Sequence, residues 1–230
     1  MASRRFRFGY LVSGQGRLLQ TVINARELSL PFDIGLVIAS SNNGAVEKAQ
    51  RAGIPFVVIE PKTFASRALF DEAVAGELSR HGIDGIMMAF DYLIGPALLK
   101  RWHDRILNVH FSLLPLFPGF HPIPKAAASG MRFAGVSLHL ADETMDGGAI
   151  VQQAVVPVDA GLDAQALGAR LFRAAVPAHL QSMCWLAEDR LLRDAQGRLF
   201  VKDSRYEPGP YSPNLEPPVE GLPGYIYAIA

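Results

Sequence analysis

Three polar side chains have the types that acyl chemistry uses. Asn108-Val109-His110 puts an amide and an imidazole two residues apart, so on a strand both project from one face. At the carboxyl edge of an open α/β sheet, where ligands bind, the pair could donate to a carbonyl oxygen that gains negative charge. It could equally do no more than satisfy loop backbone groups. Asp146 lies in the glycine-bounded segment Asp142-Glu143-Thr144-Met145-Asp146-Gly147-Gly148. A carboxylate there could orient the His110 ring and favour its charged form, or it could be an ordinary turn residue. Nearer the start, Ser13-Gly14-Gln15-Gly16-Arg17-Leu18 follows a strand-like run and opens a helical one. Free backbone N–H groups at such a helix start suit a phosphate or carboxylate, although a tight glycine turn without a ligand fits the same residues. A dinucleotide site would want a small residue near position 19 and an acid closing the second strand. The chain has Leu19 and Ser40, which excludes it.

The remaining candidates are weaker. His81 precedes a helix-stopping glycine, and His103 and His179 have no acid or cysteine pattern beside them, so structural roles are expected. His121 and His139 fall near the presumed site and could support it. Cys184 shares a helical face with Leu180, Ala187 and Leu191, the setting of a core residue and not of a nucleophile. No spacing suggests a metal site.

The chain has 230 residues, half of them apolar and 19% charged, enough for a large buried core. Lys plus Arg and Asp plus Glu are each 22, a balance that argues against a surface built to neutralise nucleic-acid phosphates. A single cysteine excludes an internal disulfide framework. No run approaches roughly 18 apolar residues, so no membrane-spanning helix is expected. The basic start, Met1-Ala2-Ser3-Arg4-Arg5, leads into a strand and not into a secretory leader, so a cytoplasmic protein is expected.

Strand-like and helical segments alternate along the first part of the chain. Strands are expected at Phe6–Val12, Ile34–Ala39, Pro55–Ile59, Asp84–Phe90 and Ile106–His110. Helices are expected over Arg17–Leu28, Ala45–Ala52 and Arg67–His81, the last two ending at Gly53 and Gly82. Unalternating apolar strands joined by helices predict an α/β fold with a mostly parallel central sheet covered on both faces. Ser112 to Pro124 holds four prolines and predicts a long ordered loop. Phe133–Ala141 and Ala149–Val158 predict a hairpin-like extension of the sheet. A long helix follows from Asp163 to about Arg190, with Pro177 bending or breaking it. A small hairpin is expected over 191–201. The last 28 residues carry six of the sixteen prolines, which predicts a tail without regular structure, pinned by Tyr206, Tyr211, Tyr225 and Tyr227.

Taken together, Ser13-Gly14-Gln15-Gly16, Asn108-Val109-His110-Phe111-Ser112-Leu113-Leu114-Pro115, Phe117-Pro118-Gly119-Phe120-His121 and Met145-Asp146-Gly147-Gly148 resemble the folate-dependent formyltransferases, most nearly those acting on glycinamide ribonucleotide. The resemblance covers about residues 6–190. It implies one formyltransferase-like domain over 1–201, with 202–230 as a Pro-rich appendage. It also implies transfer of a formyl group from 10-formyltetrahydrofolate, a co-substrate, to a primary amine of purine biosynthesis, with no metal. By position, Asn108, His110 and Asp146 match the family's catalytic residues. Folate would lie along Asp91, Tyr92, Leu93 and Ile94 and the loop with Asp142 and Glu143, and Arg67 aligns with an arginine near folate. Gly14, Gly16, Arg17 and Leu18 would hold the acceptor's phosphate.

Departures from the family pattern concern the acceptor. Arg17-Leu18 replaces Ser-Asn, Phe111 replaces proline, and Asp91-Tyr92 stands where the family has Met-Arg. Lys125 lies in a turn, Pro122-Ile123-Pro124-Lys125, that does not match. No glutamate occurs in Leu171-Phe172-Arg173-Ala174, near where the family carries one. Another amine, such as an amino sugar or a hydroxyornithine-like metabolite, is therefore an alternative acceptor. Hydrolysis of formyl-folate and non-catalytic folate binding are the others. A nucleic-acid acceptor is not expected, because 28 residues cannot supply an RNA-binding domain. A homodimer is left open.

Overall fold

The computed structural model describes residues 4–229; Met1–Ser3 of the basic N-terminal stretch and Ala230 lie outside the described residues. The fold is α/β, with a mixed, mostly parallel sheet and flanking helices. The described residues form two compact units. One runs up to Leu107 and takes in the chain again from Pro223, and the other is Asn108–Leu222.

In the first unit, β1 (Phe6–Val12) leads through α1 (Arg17–Asn24) to β2 (Phe32–Ala39). Then come α2 (Gly44–Arg51), β3 (Phe56–Val58), α3 (Arg67–Arg80), β4 (Gly85–Ala89) and α4 (Pro96–Arg101). β1 pairs in parallel with both β2 and β4, and β2 with β3. Phe8, Tyr10, Leu11, Leu36, Val37 and Ile38 are fully buried, each contributing roughly 1.5–3 kcal/mol of hydrophobic stabilisation. Parallel pairing turns the carboxyl ends of β1, β2 and β4 to one edge. The turns after them, at Ser13–Gly16, Ser40–Asn43 and Phe90–Gly95, therefore share that edge. Gly16 opens α1 at φ 63°, and a Cβ there would stand 2.8 Å from Ala45 Cβ at the start of α2. Conformation and space both demand glycine.

The second half of the expected first helix is a 3₁₀ turn, Ala25–Leu28. α4 was not anticipated: Pro96 punctuates the chain, yet at the first helical position its fixed φ and missing N–H cost nothing. Residues 224–227 form a 3₁₀ turn that buries Ile226. The Asn24 amide at the end of α1 donates to the carbonyls of Tyr225, Ile226 and Ala228, at 3.2, 3.1 and 2.7 Å.

β5 (Ile106–His110) ends just inside the second unit, which continues with α5 (Pro122–Ala128), β6 (Phe133–Leu140), β7 (Ile150–Pro157) and α6 (Ala164–Ala187). After these come β8 (Leu191–Arg193), β9 (Leu199–Val201) and β10 (Tyr211–Ser212). β6 and β7 form the expected antiparallel pair, running from Phe133↔Pro157 to His139↔Ile150, with a register shift between Leu138 and His139. α6 is one helix of 24 residues that passes through Pro177 unbroken. β8 and β9 make the small hairpin.

Two expectations are corrected here. The loop after His110 ends at Pro122, which with Pro124 starts α5, for the reason given for Pro96. The Pro-rich tail also contains regular structure, since β10 adds to β7 as an antiparallel strand. Polar side chains anchor it: Glu216 takes two bonds from Arg190 at 2.6 and 2.9 Å, Gln181 Oε1 accepts from Glu216 N–H, and Gln152 Nε2 donates to the Pro213 carbonyl. Tyr206 and Tyr225 are exposed and so are not the anchors. Among the described residues no helix is long and apolar enough to cross a membrane.

Candidate active site

Asn108 and His110 leave the end of β5 on one side, as the two-residue spacing predicts. Asp146 belongs to the turn between β6 and β7 at φ 54°, a left-handed conformation that aspartate tolerates better than most residues. The following glycines allow the turn to fold back, since a Cβ on Gly148 would overlap the Leu140 carbonyl. The turn brings Asp146 Oδ2 to 3.3 Å from His110 Nδ1 and Oδ1 to 3.4 Å from Asn108 Nδ2. All three predicted catalytic residues meet.

Two further groups complete the cluster. Gly119 N–H donates to Asp146 Oδ2 at 2.8 Å, and the Phe117 carbonyl lies 2.8 Å from His110 Nε2. Both belong to the irregular loop after β5, held by side chains of β6 and β7. Ser137 Oγ donates to the Ser112 carbonyl and accepts from Leu114 N–H, while Gln153 Nε2 donates to the Leu114 carbonyl. His139, on β6, places Nδ1 3.1 Å from the Leu140 carbonyl and Nε2 3.1 Å from Asn108 Nδ2. A carbonyl only accepts, so His139 carries its proton on Nδ1 and offers Nε2 as an acceptor. That choice turns the Asn108 amide so that its NH₂ faces the ring and the carboxylate. His139 therefore has a firmer place than its sequence position suggested, whereas His121 is exposed and opens α5 at φ 57°.

The His110 and Asp146 side chains are only 8% and 11% exposed, so their interaction is poorly screened. Burial works to raise the Asp146 carboxyl, but the His139 ring, the Gly119 N–H and the His110 ring outweigh it and hold the group below the ordinary carboxylate range. His139 Nε2 stands 3.7 Å from Oδ1, close to the carboxylate but beyond a hydrogen bond. Both neighbours of the His110 ring, a carbonyl and a carboxylate, are acceptors. The imidazolium alone can donate to both. Asn108 and His110 together supply N–H donors of the kind that stabilise an oxyanion.

The other predicted residues fall on several elements. Gly14, Gly16, Arg17 and Leu18 form the turn into α1, where Arg17 is exposed and the Leu18 side chain enters the core, leaving only its backbone for the turn. Asp91 and Leu93 are exposed, Tyr92 half-buried and Ile94 buried. Arg67 is exposed as the first residue of α3. Asp142 folds its own turn, accepting from Thr144 N–H and Oγ1 at 2.8 and 2.6 Å, and Glu143 is exposed. Cys184 is a buried core residue, and burial pushes its thiol up, away from the nucleophilic thiolate. Sequence reasoning missed the contributions of Ser137 and Gln153, because only the β6–β7 register puts them beside the loop.

Comparison with known proteins places relatives around this geometry. The family model described as formyl transferase matches residues 6–182. A phosphoribosylglycinamide formyltransferase of Bacillus subtilis is 31% identical over 156 residues, covering 66% of this chain and 80% of that protein. A trifunctional purine biosynthetic protein of Drosophila melanogaster is 35% identical over 179 residues, or 76% of this chain, and this chain spans only 13% of that longer protein. A glycinamide ribonucleotide transformylase from Symbiobacterium toebii superposes with a TM-score of 0.82 at 32% identity, covering 86% of this chain and 94% of that one.

Proposed function

Because the chain belongs to the formyl transferase family, we propose that it moves a formyl group from 10-formyltetrahydrofolate to a primary amine, using Asn108, His110 and Asp146. The observation that carries this reading is the closed cluster in which a buried carboxylate faces an imidazole and an amide at 3.3 and 3.4 Å. In the reaction a bond forms between the amine nitrogen and the formyl carbon, and the bond from that carbon to the folate nitrogen breaks. The amine gives up one proton and the folate nitrogen takes one. When bound, the folate supplies the formyl carbon and a nitrogen leaving group.

The chain's own residues supply charge and protons. Asn108 Nδ2, which now faces His139 and Asp146, and the His110 imidazolium are the donors this reading assigns to an oxygen that gains negative charge. Asp146 compensates the imidazolium and accepts a proton through water on the way between the two nitrogens. Both His110 nitrogens are already engaged, Nε2 with the Phe117 carbonyl, so a reacting oxygen must share or displace that bond. No protein nucleophile is required. The residues around the expected folate segment fit an extended aromatic ligand: Leu93 is exposed and Tyr92 ends a chain of rings through Phe90, Phe70 and Phe64.

Glycinamide ribonucleotide is the acceptor that the named relatives suggest, with its phosphate at Gly14–Leu18. A second reading, another amine, is favoured by the absence of any acid in Leu171-Phe172-Arg173-Ala174. The test is to follow release of tetrahydrofolate by absorbance with glycinamide ribonucleotide, an amino sugar, hydroxyornithine or no acceptor. Turnover abolished by His110→Ala is expected. An unaffected His110→Ala enzyme would refute the assignment, and turnover without any acceptor would mean hydrolysis.

A further inference from the structure

Asp71 is an acid that the reaction above does not use and that burial should have eliminated. It is 2% exposed on α3, and its Oδ1 has no hydrogen-bond partner among the described residues. A buried carboxylate with an orphaned oxygen costs stability, and an amide or leucine of similar size would fill the space more cheaply. The carboxylate does have one firm contact, accepting from the backbone N–H of Gly95. Gly95 is the last residue of the segment after β4 and immediately precedes α4. The fit leaves no room for a side chain, since a Cβ on Gly95 would overlap Asp71 Oδ2 and come to 3.5 Å from Arg67 Nε.

The same segment is pinned at its other end. Ser13 Oγ accepts from Asp91 N–H at 3.1 Å and lies 3.2 Å from Ser40 Oγ, tying the segment to the turns after β1 and β2. Between the pins, Phe90 stacks on Phe70, the residue beside Asp71, at 6.2 Å with planes 8° apart. The N-terminal half of α3 is thus a platform: Phe70 supports the start of the segment, Asp71 fixes its end, and Arg67 stands one turn away. Burial pushes the Asp71 carboxyl up, and the Gly95 N–H and Arg67 only partly offset this, the mark of a charge kept against its own stability.

We propose that Asp71 is a positioning residue, holding the backbone of Asp91–Gly95 in the form that receives folate; this rests on the formyl-folate reading given above. It touches no reacting atom and acts through Gly95. Its loss should weaken folate binding and leave the chemical step alone.

The experiment measures kcat, KM for 10-formyltetrahydrofolate and Tm for wild type, Asp71→Leu and Asp71→Asn. Asp71→Leu should raise KM about tenfold, the usual cost of a lost bond to a charged acceptor. Its saturated kcat should stay within about threefold of wild type, with Tm unchanged or higher as the orphaned oxygen is removed. Asp71→Asn keeps an oxygen for Gly95 N–H and should bring KM back to within about threefold of wild type. A wild-type KM in both variants would overturn the proposal while leaving formyl transfer intact. So would a fall in Tm and kcat together in Asp71→Leu, because that is the signature of a merely structural acid. A wild-type protein that releases no tetrahydrofolate with any acceptor would sink the folate reading and this inference with it.

Discussion

Replacing Asp146 by asparagine is the sharpest perturbation of the proposed chemistry, because it removes the charge and preserves the shape. Asp146 Oδ2 lies 3.3 Å from His110 Nδ1 and also accepts from Gly119 N–H at 2.8 Å. At an effective dielectric of about 20, two unit charges 3.3 Å apart interact by about 5 kcal/mol, an upper limit for what the carboxylate gives the imidazolium. The amide oxygen of asparagine can retain the Gly119 bond and part of the dipole. A loss of about 3–5 kcal/mol of transition-state stabilisation is therefore expected, a fall of about 10²–10⁴ in kcat. KM for both substrates should change little, because the charge matters most when the oxygen is negative. The assay is single-turnover release of tetrahydrofolate by Asp146→Asn, with folding checked by circular dichroism. A rate within tenfold of wild type, in a folded variant, would refute the claim that this carboxylate stabilises the charged ring. Since Asp146 is held below the ordinary carboxylate range, it stays ionised above that range. Any acid limb of the rate profile near neutrality must arise from another group.

His139→Ala frees the Asn108 amide to rotate, and a fall in kcat of about 10–100-fold is expected, smaller than for His110→Ala; an equal or greater loss would make His139 more than an orienting ring. Gly16→Ala forces a side chain into the left-handed region at φ 63° and against Ala45, and should cost about 2–4 kcal/mol in urea unfolding. Burial pushes His179 down to about 3, so the unfolded chain takes a proton below about pH 6.5 that the folded one refuses. Its contribution is fully present above that pH and is lost as pH falls from there toward 3, at up to about 1.4 kcal/mol per unit. His179→Gln should flatten that limb of the stability curve. Glu216→Gln leaves Arg190 one acceptor of the two and no opposite charge, and should cost about 1–2 kcal/mol, seen as faster proteolysis within 202–222.

What could be read from the chain depended on how local the cause was. Ile106–His110 is a short apolar run with its polar residues two apart, and it folded as the strand expected. The β6–β7 pair was legible in the same way, and so was the span of α6, although whether Pro177 would bend or break it was not. Pro122 and Pro124 misled, because a proline marks a helix start as readily as a loop, and only tertiary packing decides between them. β10 was hidden because two residues of Tyr211–Ser212 carry no pattern of their own and pair only because β7 offers an open edge. At the site, Asn108, His110 and Asp146 could be named from their types and their resemblance. The Phe117 carbonyl and Gly119 N–H could not, since backbone groups have no letter in a sequence. Asp71 and Gly95 are 24 positions apart and join only through the packing of α3 on α4.

The return of residues 223–229 to the first unit bears on the order in which the protein is made. The Asn24 amide and the face of α1 that packs on residues 224–227 leave the ribosome well before their partners. Those partners emerge just over two hundred residues later. Until synthesis has passed Ile226, α1 presents an uncovered apolar patch and three missing acceptors, while the continuous unit Asn108–Leu222 can fold without interruption. The unit that holds α1 thus cannot be completed until residues 224–228 are made, and its closure is a contact of very high sequence separation, slow to form and early to open.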